Sequence, residues 1–407
     1  MTADQLASNV AIMEPPNGLR EKLALSEKKG RPLIVKLGFD PTAPNLHLGH
    51  AVVLKKLRAF QEAGHRIVII IGDFTASIGD PTGRNKMRPP LTAEEIDANS
   101  ATYIAQLGLV VDTAKIEIRR NSEWLGKLDL REMIKLLAKV TVAQIMQRDD
   151  FAKRFATDLP IHLHEMLYPI LQGYDSVVIN ADIELGGTDQ LFNNMMGRTL
   201  QQAFGMDAQA VITSPLLVGL DGSEKMSKTG SNSVWLTDEP ENMYGKVMSL
   251  PDKLIPDYLR LATDFQAAEQ AALRESLTAG TNPMAVKKEI AANVVAQFHS
   301  PEAAQRAAAH FERTVQRREP TDEDHEPLSI GVLRQTFPNG AASLLEFCDR
   351  VTSGMTRSEI RRLIRSGGVR IDREKVTDEN ATVHFVAART IWIGKRKKFI
   401  ILDTPDS

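Results

Sequence analysis

The sequence predicts an α/β chain: a doubly wound parallel-sheet domain with a helical insertion, followed by an all-α domain and a small α+β domain. Three observations point there. A short apolar run, "RPLIVKLGFD" (Arg31 to Asp40), is followed by a helical repeat and then by a β-branched run, Ile67 to Ile71. Strand, helix, strand in that order is a βαβ unit, and unbroken β-branched runs suit parallel strands covered on both faces. From about 237 to 318 the pattern is helical, with Val286, Ile290, Val294 and Phe298 on one stripe. From about 340 to 407 a helical "SGMTRSEIRRLIRSGG" precedes two short strand patterns, "VRIDREKV" and "TIWIGKRKKFIIL".

The elements follow in order. Arg31 to Asp40 ends in glycine and aspartate, as a buried strand does before a turn. Between Gly49 and Glu62, Val52, Leu54, Leu57 and Phe60 keep helical spacing. "DSVVINAD" (Asp175 to Asp182) and "AQAVITSPLL" (Ala208 to Leu217) read as later strands of the same sheet. Between the two halves, roughly 92 to 170, the sequence turns helical. Thr92 and Glu95 fit a capping box. Asp129 to Phe155 reads as a helix or helix pair with one apolar side. Ser300 and Pro301 suit the cap and first position of a further helix. "RREPTDEDHEPLS" (Arg317 to Ser329) is polar and proline-bearing, a linker pattern. No internal repeat stands out.

Composition narrows the class. A length of 407 residues suits two or three domains. The one cysteine, Cys348, excludes an internal disulfide and a cysteine-rich zinc site. The first residues carry no apolar signal-peptide core, and no run approaches the ~20 apolar residues of a bilayer span. A cytosolic protein is expected. Net charge is −2, so bulk charge names no partner.

Two stretches carry chemistry. In "PNLHLGHAVVLKKL", His47 and His50 flank Gly49 where a strand gives way to a helix. A helix N-terminus offers unpaired N–H groups and the positive end of the helix dipole, and so binds anions. The glycine lets a ligand approach the backbone. In "DGSEKMSKTG" (Asp221 to Gly230), Lys225, Lys228 and Thr229 sit in a Gly/Ser-rich loop without apolar periodicity. Such a loop is expected to move, and its lysines to close over a polyphosphate and stabilise a departing pyrophosphate. The pair of motifs is a far narrower signal than either alone.

These residues resemble a known family. "HLGH" and "KMSKT" are similar to the HIGH and KMSKS signatures of class I aminoacyl-tRNA synthetases. Within that class "GFDPTAPNLHLGH", "IGDPTGR", "LQGYD", "GGTDQ" and "EKMSKT", in that order, resemble bacterial tyrosyl-tRNA synthetases, and the basic tail resembles an S4 RNA-binding domain. The resemblance covers nearly the whole chain. It implies a Rossmann-like catalytic domain over 1–236 with the insertion at about 92–170, a helical domain over 237–330 and an S4-like domain over 340–407. It also implies tyrosine–tRNA ligation with ATP and Mg²⁺ as co-substrate, tRNA(Tyr) as partner, no tightly bound cofactor or protein-held metal, and a homodimer formed near Val140 to Phe155.

Roles follow at matching positions. His47 and His50 would contact ATP phosphates, and Lys225, Lys228 and Thr229 the pyrophosphate. Gly38, Asp40 and Gly49 would lie beside the nucleotide, and Gly187 and Asp189 at its ribose. Asp80, Tyr168 and Gln172 would surround the substrate ammonium, with Thr75 and Gln190 nearby. Asp175 would accept the phenolic O–H. The chemistry is consistent with this: an ammonium needs acceptors and negative charge, and Tyr168, Gln172 and Asp175, spaced i, i+4, i+7, share one helix face. A carboxylate there rejects phenylalanine, which would leave it buried and unpaired.

Three positions depart from the better-known pattern. Lys36 stands where many relatives carry a tyrosine that touches the substrate hydroxyl, and Leu37 and Val53 replace polar residues near the ribose. Lys36 either points away from the pocket or pairs with Asp175. In the tail, residues 341–407 hold 13 Lys/Arg against 9 Asp/Glu. Arg357, Arg361, Arg362 and Arg365 recur on a helix face, and Lys395, Arg396, Lys397 and Lys398 form a second cluster, a pattern fit for an RNA backbone. Two rivals remain at this level: a tryptophanyl-tRNA synthetase-like enzyme, and a non-catalytic RNA-binding protein derived from a synthetase. Gln172 and the tail oppose the first; intact HLGH and KMSKT oppose the second.

Overall fold

The structure, a computed structural model, describes residues 2–81, 92–227, 232–316, 326–352, 355–372, 374–394 and 397–402. The chain forms two compact units, Met1–Ala308 and Ala309–Ser407.

The first unit is built on a six-stranded sheet. Its strands are β1 (Ile12–Glu14), β2 (Ile34–Phe39), β3 (Arg66–Ile71), β4 (Ile116–Arg120), β5 (Ile183–Gly187) and β6 (Ala210–Ser214), in the order β1-β6-β5-β2-β3-β4. All neighbours are parallel except β1 against β6. The chain runs outward from β2 through β3 to β4, then returns to place β5 on the other side of β2. That reversal between β2 and β5 is a topological switch point, where open α/β sheets bind ligands beyond their strand ends. Val68, Ile69, Ile70 and Ile71 are all buried, as the β-branched run requires.

The helix Leu48–Glu62 forms as its spacing predicts, burying Val52, Leu54, Leu57 and Phe60. The Thr92–Glu95 capping box is present in the helix Ala93–Leu107. Val286, Ile290, Val294 and Phe298 form the buried stripe of the helix Pro283–Phe298, and Ser300 Oγ accepts from the Ala303 amide at 3.1 Å as the cap of the next helix.

The structure corrects the sequence reading in four places. Asp175 to Asp182 is not a strand: the helix Leu163–Val178 runs through it, and β5 begins at Ile183. The β-branched Val177–Val178–Ile179 run imitates a strand, while β5 itself, "IELGG", carries a glutamate and two glycines. The region 92–170 is not wholly helical, because β4 joins the sheet edge beside β3. Asp129 to Phe155 divides into three short helices, Leu130–Leu137, Val142–Ile145 and Asp149–Ala156. β1 is a further short edge strand that the sequence reading left out.

The second unit has its own core, including Leu344, Phe347, Ile360, Ile364, Val369 and Ile391. Its main sheet has the order β10-β9-β12-β13-β7. These strands are β7 (Glu326–Ser329), β9 (Val369–Ile371), β10 (Glu374–Val376), β12 (Thr390–Ile393) and β13 (Lys397–Leu402), while β8 (Ala341–Ser343) pairs with β11 (Thr382–His384). β7 lies in the stretch read as linker. It pairs parallel with β13, so this unit includes residues well before 340.

Candidate active site

The strand ends at the switch point open into a cleft of about 310 Å³, at the small end for ligand sites. β2 delivers Gly38 and Asp40, β3 leads to Gly72 and Thr75, and β5 ends at Gly187 before Asp189 and Gln190. The helix Leu163–Val178 contributes Tyr168, Gln172 and Asp175 from one face. His47, Gly49, His50, Asp80 and Lys225 complete the lining. Every sequence-predicted site residue of the first unit that is described therefore faces one cleft. Lys228 and Thr229 lie outside the described residues.

The histidines stand where the helix Leu48–Glu62 begins. His47 is its N-cap, and the His47 amide donates to Nδ1 of His50 at 3.1 Å. Their rings stack with centroids 3.8 Å apart. A Cβ on Gly49 would come 3.0 Å from the His47 ring, tighter than an ordinary contact, so the folded-back ring would have to shift for any larger residue there. The loop before them is fastened by Gln106: the Leu46 amide donates to its Oε1 at 2.7 Å, and its Nε2 donates to the Pro44 carbonyl at 2.8 Å.

The second motif is tied to the first by backbone. The Leu48 amide donates to the Val234 carbonyl at 3.0 Å, and the Leu236 amide to the Leu46 carbonyl at 2.9 Å. Up to Ser227 the lysine loop is a fastened hairpin rather than a free loop. The Met226 amide donates to the Leu217 carbonyl, Met226 is buried, and Asp221 accepts from the amides of Ser223 and Glu224. Those two amides hold the Asp221 carboxyl down at about 2. Lys225 Nζ reaches Asp189 Oδ2 at 2.5 Å, which joins the lysine loop to the predicted ribose site.

At the buried end, Asp40 accepts from the Tyr168 hydroxyl at 2.9 Å and the Thr75 hydroxyl at 2.8 Å. Burial, then the charge of Asp40, push the Tyr168 phenol well above its ordinary value. A Cβ on Gly72 would lie 2.1 Å from Asp40 Oδ1, so this junction needs glycine. Asp175 is 3% exposed and accepts from Trp124 Nε1 at 2.8 Å and Asn121 Nδ2 at 3.4 Å. Burial raises its carboxyl from 3.8 to about 7 against the opposing charge of Lys36 and these donors. Asp80 accepts from Arg148 at 3.0 Å and Gln190 at 2.8 Å. Of the two expectations for Lys36, the first holds: it is absent from the cleft lining, and its buried Nζ pairs with Glu184 Oε1 at 2.9 Å rather than with Asp175.

The sequence reading missed Asn121, Trp124, Arg148 and Glu184. None lies in a quoted motif, and nothing in their local pattern marks them; only tertiary approach makes them partners of Asp175, Asp80 and Lys36.

Comparisons with known proteins give the family. The family described as tRNA synthetases class I (W and Y) matches residues 28–316, and the S4 domain matches residues 344–385. The chain belongs to the class I tRNA synthetases. Among relatives of this synthetase family, the tyrosine–tRNA ligase 2 of Photorhabdus laumondii is 57% identical over 98% of this chain and 98% of its own. The tyrosine–tRNA ligase of Aquifex aeolicus is 44% identical over 94% of each. The solved tyrosyl-tRNA synthetase of Archaeoglobus fulgidus, complexed with L-tyrosine, superposes with a TM-score of 0.60 at 22% identity. That match covers 75% of this chain and 98% of the other, and it shows the shared synthetase fold.

In the second unit the helix Arg357–Arg365 buries Ile360 and Ile364 and leaves its arginines exposed. Arg357 pairs with Asp349 at 3.1 Å, and Arg361 and Arg365 share Glu379 at 3.7 and 3.3 Å. Arg362 is exposed on the same helix, and Lys397 opens β13. Lys395, Arg396 and the Lys398 side chain lie outside the described residues.

Proposed function

We propose that this chain is a tyrosine–tRNA ligase, which activates tyrosine with ATP and transfers it to tRNA(Tyr). The observation that carries the reading is Asp175, a carboxylate at the buried end of a cleft whose open side holds His47, His50 and Lys225. A phenolic O–H donates to such a group, and phenylalanine leaves it unpaired; the handling of tyrosine against phenylalanine is a standard illustration of that effect. The names of relatives up to 57% identical across the chain support the same substrate.

In the first step the tyrosine carboxylate attacks the α-phosphate of ATP, and pyrophosphate leaves. Little covalent work falls to the protein, so position and charge set the rate. Asp80, Gln172 and Tyr168 hold the ammonium end. Because His50 Nδ1 accepts from the His47 amide, the neutral ring carries its proton on Nε2, ready to donate to a phosphate oxygen. Lys225 leaves Asp189 for the phosphates once the ribose takes that carboxylate, and Lys228 and Thr229 join it. Magnesium belongs to the ATP co-substrate, carried on the phosphates as suits a cation that dehydrates reluctantly. In the second step the terminal adenosine hydroxyl of tRNA takes the tyrosyl group from the adenylate. Arg357, Arg361, Arg362 and Arg365, with Lys395, Arg396, Lys397 and Lys398, contact the tRNA backbone.

We also infer a homodimer, in the cytosol where tRNA is charged. Leu130, Ile134, Val142, Phe155 and Leu163 are 57–80% exposed across the short helices of residues 130–163, and apolar exposure of this kind marks association surfaces. The deciding experiment is ATP–pyrophosphate exchange. Exchange that depends on tyrosine supports the ligase; exchange with tryptophan, or none, overturns it.

A further inference from the structure

Lys36 sits in the middle of β2 with its side chain 0% exposed. Its ammonium meets three partners: Glu184 Oε1 at 2.9 Å, Ser176 Oγ at 2.8 Å and the Gln172 carbonyl at 3.0 Å. All three of its protons are therefore directed. Burying such a pair costs desolvation that its attraction barely repays, so stability alone does not explain it. The partners suggest another reason. Gln172 and Ser176 bracket Asp175 on the helix that faces the cleft. Glu184 Oε1 also lies 3.4 Å from Gln172 Nε2, and its Oε2 accepts from Ser176 Oγ at 3.0 Å and from Gln209. A Cβ on Gly197 would come within 2.8 Å of Ser176 Oγ and 3.0 Å of Glu184 Oε2, so the neighbouring helix leaves room for this cluster alone.

We propose that Lys36 and Glu184 are positioning residues for tyrosine selection: Lys36, bonded to the Gln172 carbonyl and the Ser176 hydroxyl on either side of Asp175, sets its charge behind that carboxylate, and Glu184 aims Gln172. The proposal rests on the tyrosine–ligase reading and deepens it. Selection then comes from charge placed behind the carboxylate rather than from a second hydrogen bond in front of it.

The charged groups that face Asp175 come from several elements. Lys36 from β2 is the largest influence holding its carboxyl down, ahead of the bonds from Trp124 and Asn121, and Glu184 from β5 pushes it up by less. Asp40 reaches it through the Thr75–Asn121 chain, and Arg119 stands over the far face of the Trp124 ring at 5.4 Å. Tyrosine is taken best by the ionised carboxylate and phenylalanine by the neutral acid. Preference for tyrosine therefore falls as pH drops through the titration of Asp175.

The test uses the full chain in ATP–pyrophosphate exchange, with kcat/KM for tyrosine and for phenylalanine measured from pH 6 to 9. Wild-type exchange with tyrosine must appear first; its absence refutes the ligase reading, not the role of Lys36. Lys36→Met should move the pH midpoint for tyrosine upward, and lower the tyrosine-to-phenylalanine ratio about tenfold for each pH unit moved. Glu184→Gln should move the midpoint downward. The double variant should move it upward by less than Lys36→Met. A purely structural pair would lower kcat in all three variants and leave the midpoint in place. Shifts of the same sign in both single variants, or no shift, overturn the proposal. Should Lys36→Met fail to fold, a midpoint in Glu184→Gln that stays put or rises overturns it equally.

Discussion

Asp175, the proposed acceptor of the substrate hydroxyl, is held in the fold at a cost in stability. Its folded carboxyl keeps a proton up to about pH 7, while an unfolded chain loses it near 3.8. Between those values the folded state binds more protons, so this site lowers stability as pH rises. Each pH unit corresponds to about 1.4 kcal/mol, and the ionised group costs on the order of a few kcal/mol at pH 8. Asp175→Asn should therefore raise Tm at pH 8, with the gain gone at pH 4, while preference for tyrosine collapses. Asp175→Ala should lose a charge-assisted bond worth roughly 1.5–3 kcal/mol to tyrosine and little to phenylalanine; unchanged discrimination would remove Asp175 from the hydroxyl site. Lys225 belongs to the open side of the cleft. Lys225→Ala should slow adenylate formation by roughly 10²-fold in single-turnover assays, with a much smaller change in tyrosine affinity. Equal losses in both would make it a structural partner of Asp189. Residues such as His47, Lys225 and Asp175 were legible because their motifs fix spacing within a few positions. Arg148 and Glu184 were not: they gain meaning only when β5 and the helix Asp149–Ala156 bring them to Lys36 and Asp80.

Elements were legible where burial was uniform. β3 and the helix Leu48–Glu62 bury faces that are almost wholly apolar, with Lys56 the exception on the helix, and pattern sufficed. β4 is an edge strand of two isoleucines among charges, "IEIRR", all half-buried, so its alternation competes with a polar helix pattern. β5 was displaced because its buried glutamate depends on tertiary partners, among them Lys36, 148 positions earlier in the sequence. The short helices of residues 130–156 carry their own signal. Phe155 is 72% exposed and Leu163 80% exposed, while Arg154 and Glu165 beside them form a buried pair at 2.6 Å. An apolar surface over a satisfied polar pair suits a second copy of the chain. Phe155→Asp should halve the mass measured by sedimentation at micromolar protein, because a charge forced into an apolar contact is unpaired there. A mass that stays the same would put the interface elsewhere.

The whole molecule divides its labour between two cores. Every described site residue of the cleft belongs to Met1–Ala308, and among the described residues the apolar core of the second unit draws on those from Leu328 onward. On the proposed reading, chemistry and RNA binding should be separable by cutting the chain, provided β7 is removed with the rest of its sheet. A chain ending near 330 would keep β7 without its partner β13 and leave a strand edge unpaired. A chain ending at Gln316 keeps the helix Pro301–Phe311 whole and removes β7 with the rest of its sheet. It should exchange pyrophosphate with ATP in the presence of tyrosine as the full chain does. Its charging of tRNA should fall, and the remaining RNA affinity should depend less on salt. In the full chain, removing arginines one at a time should show the same trend. Each lost phosphate contact flattens the log–log salt slope by roughly 0.7–0.9. Arg362 should give the clearest change, since Arg361 and Arg365 already spend part of their charge on Glu379, and Arg357 on Asp349. If the shortened chain charges tRNA(Tyr) as well as the full chain at physiological salt, the second unit serves another purpose.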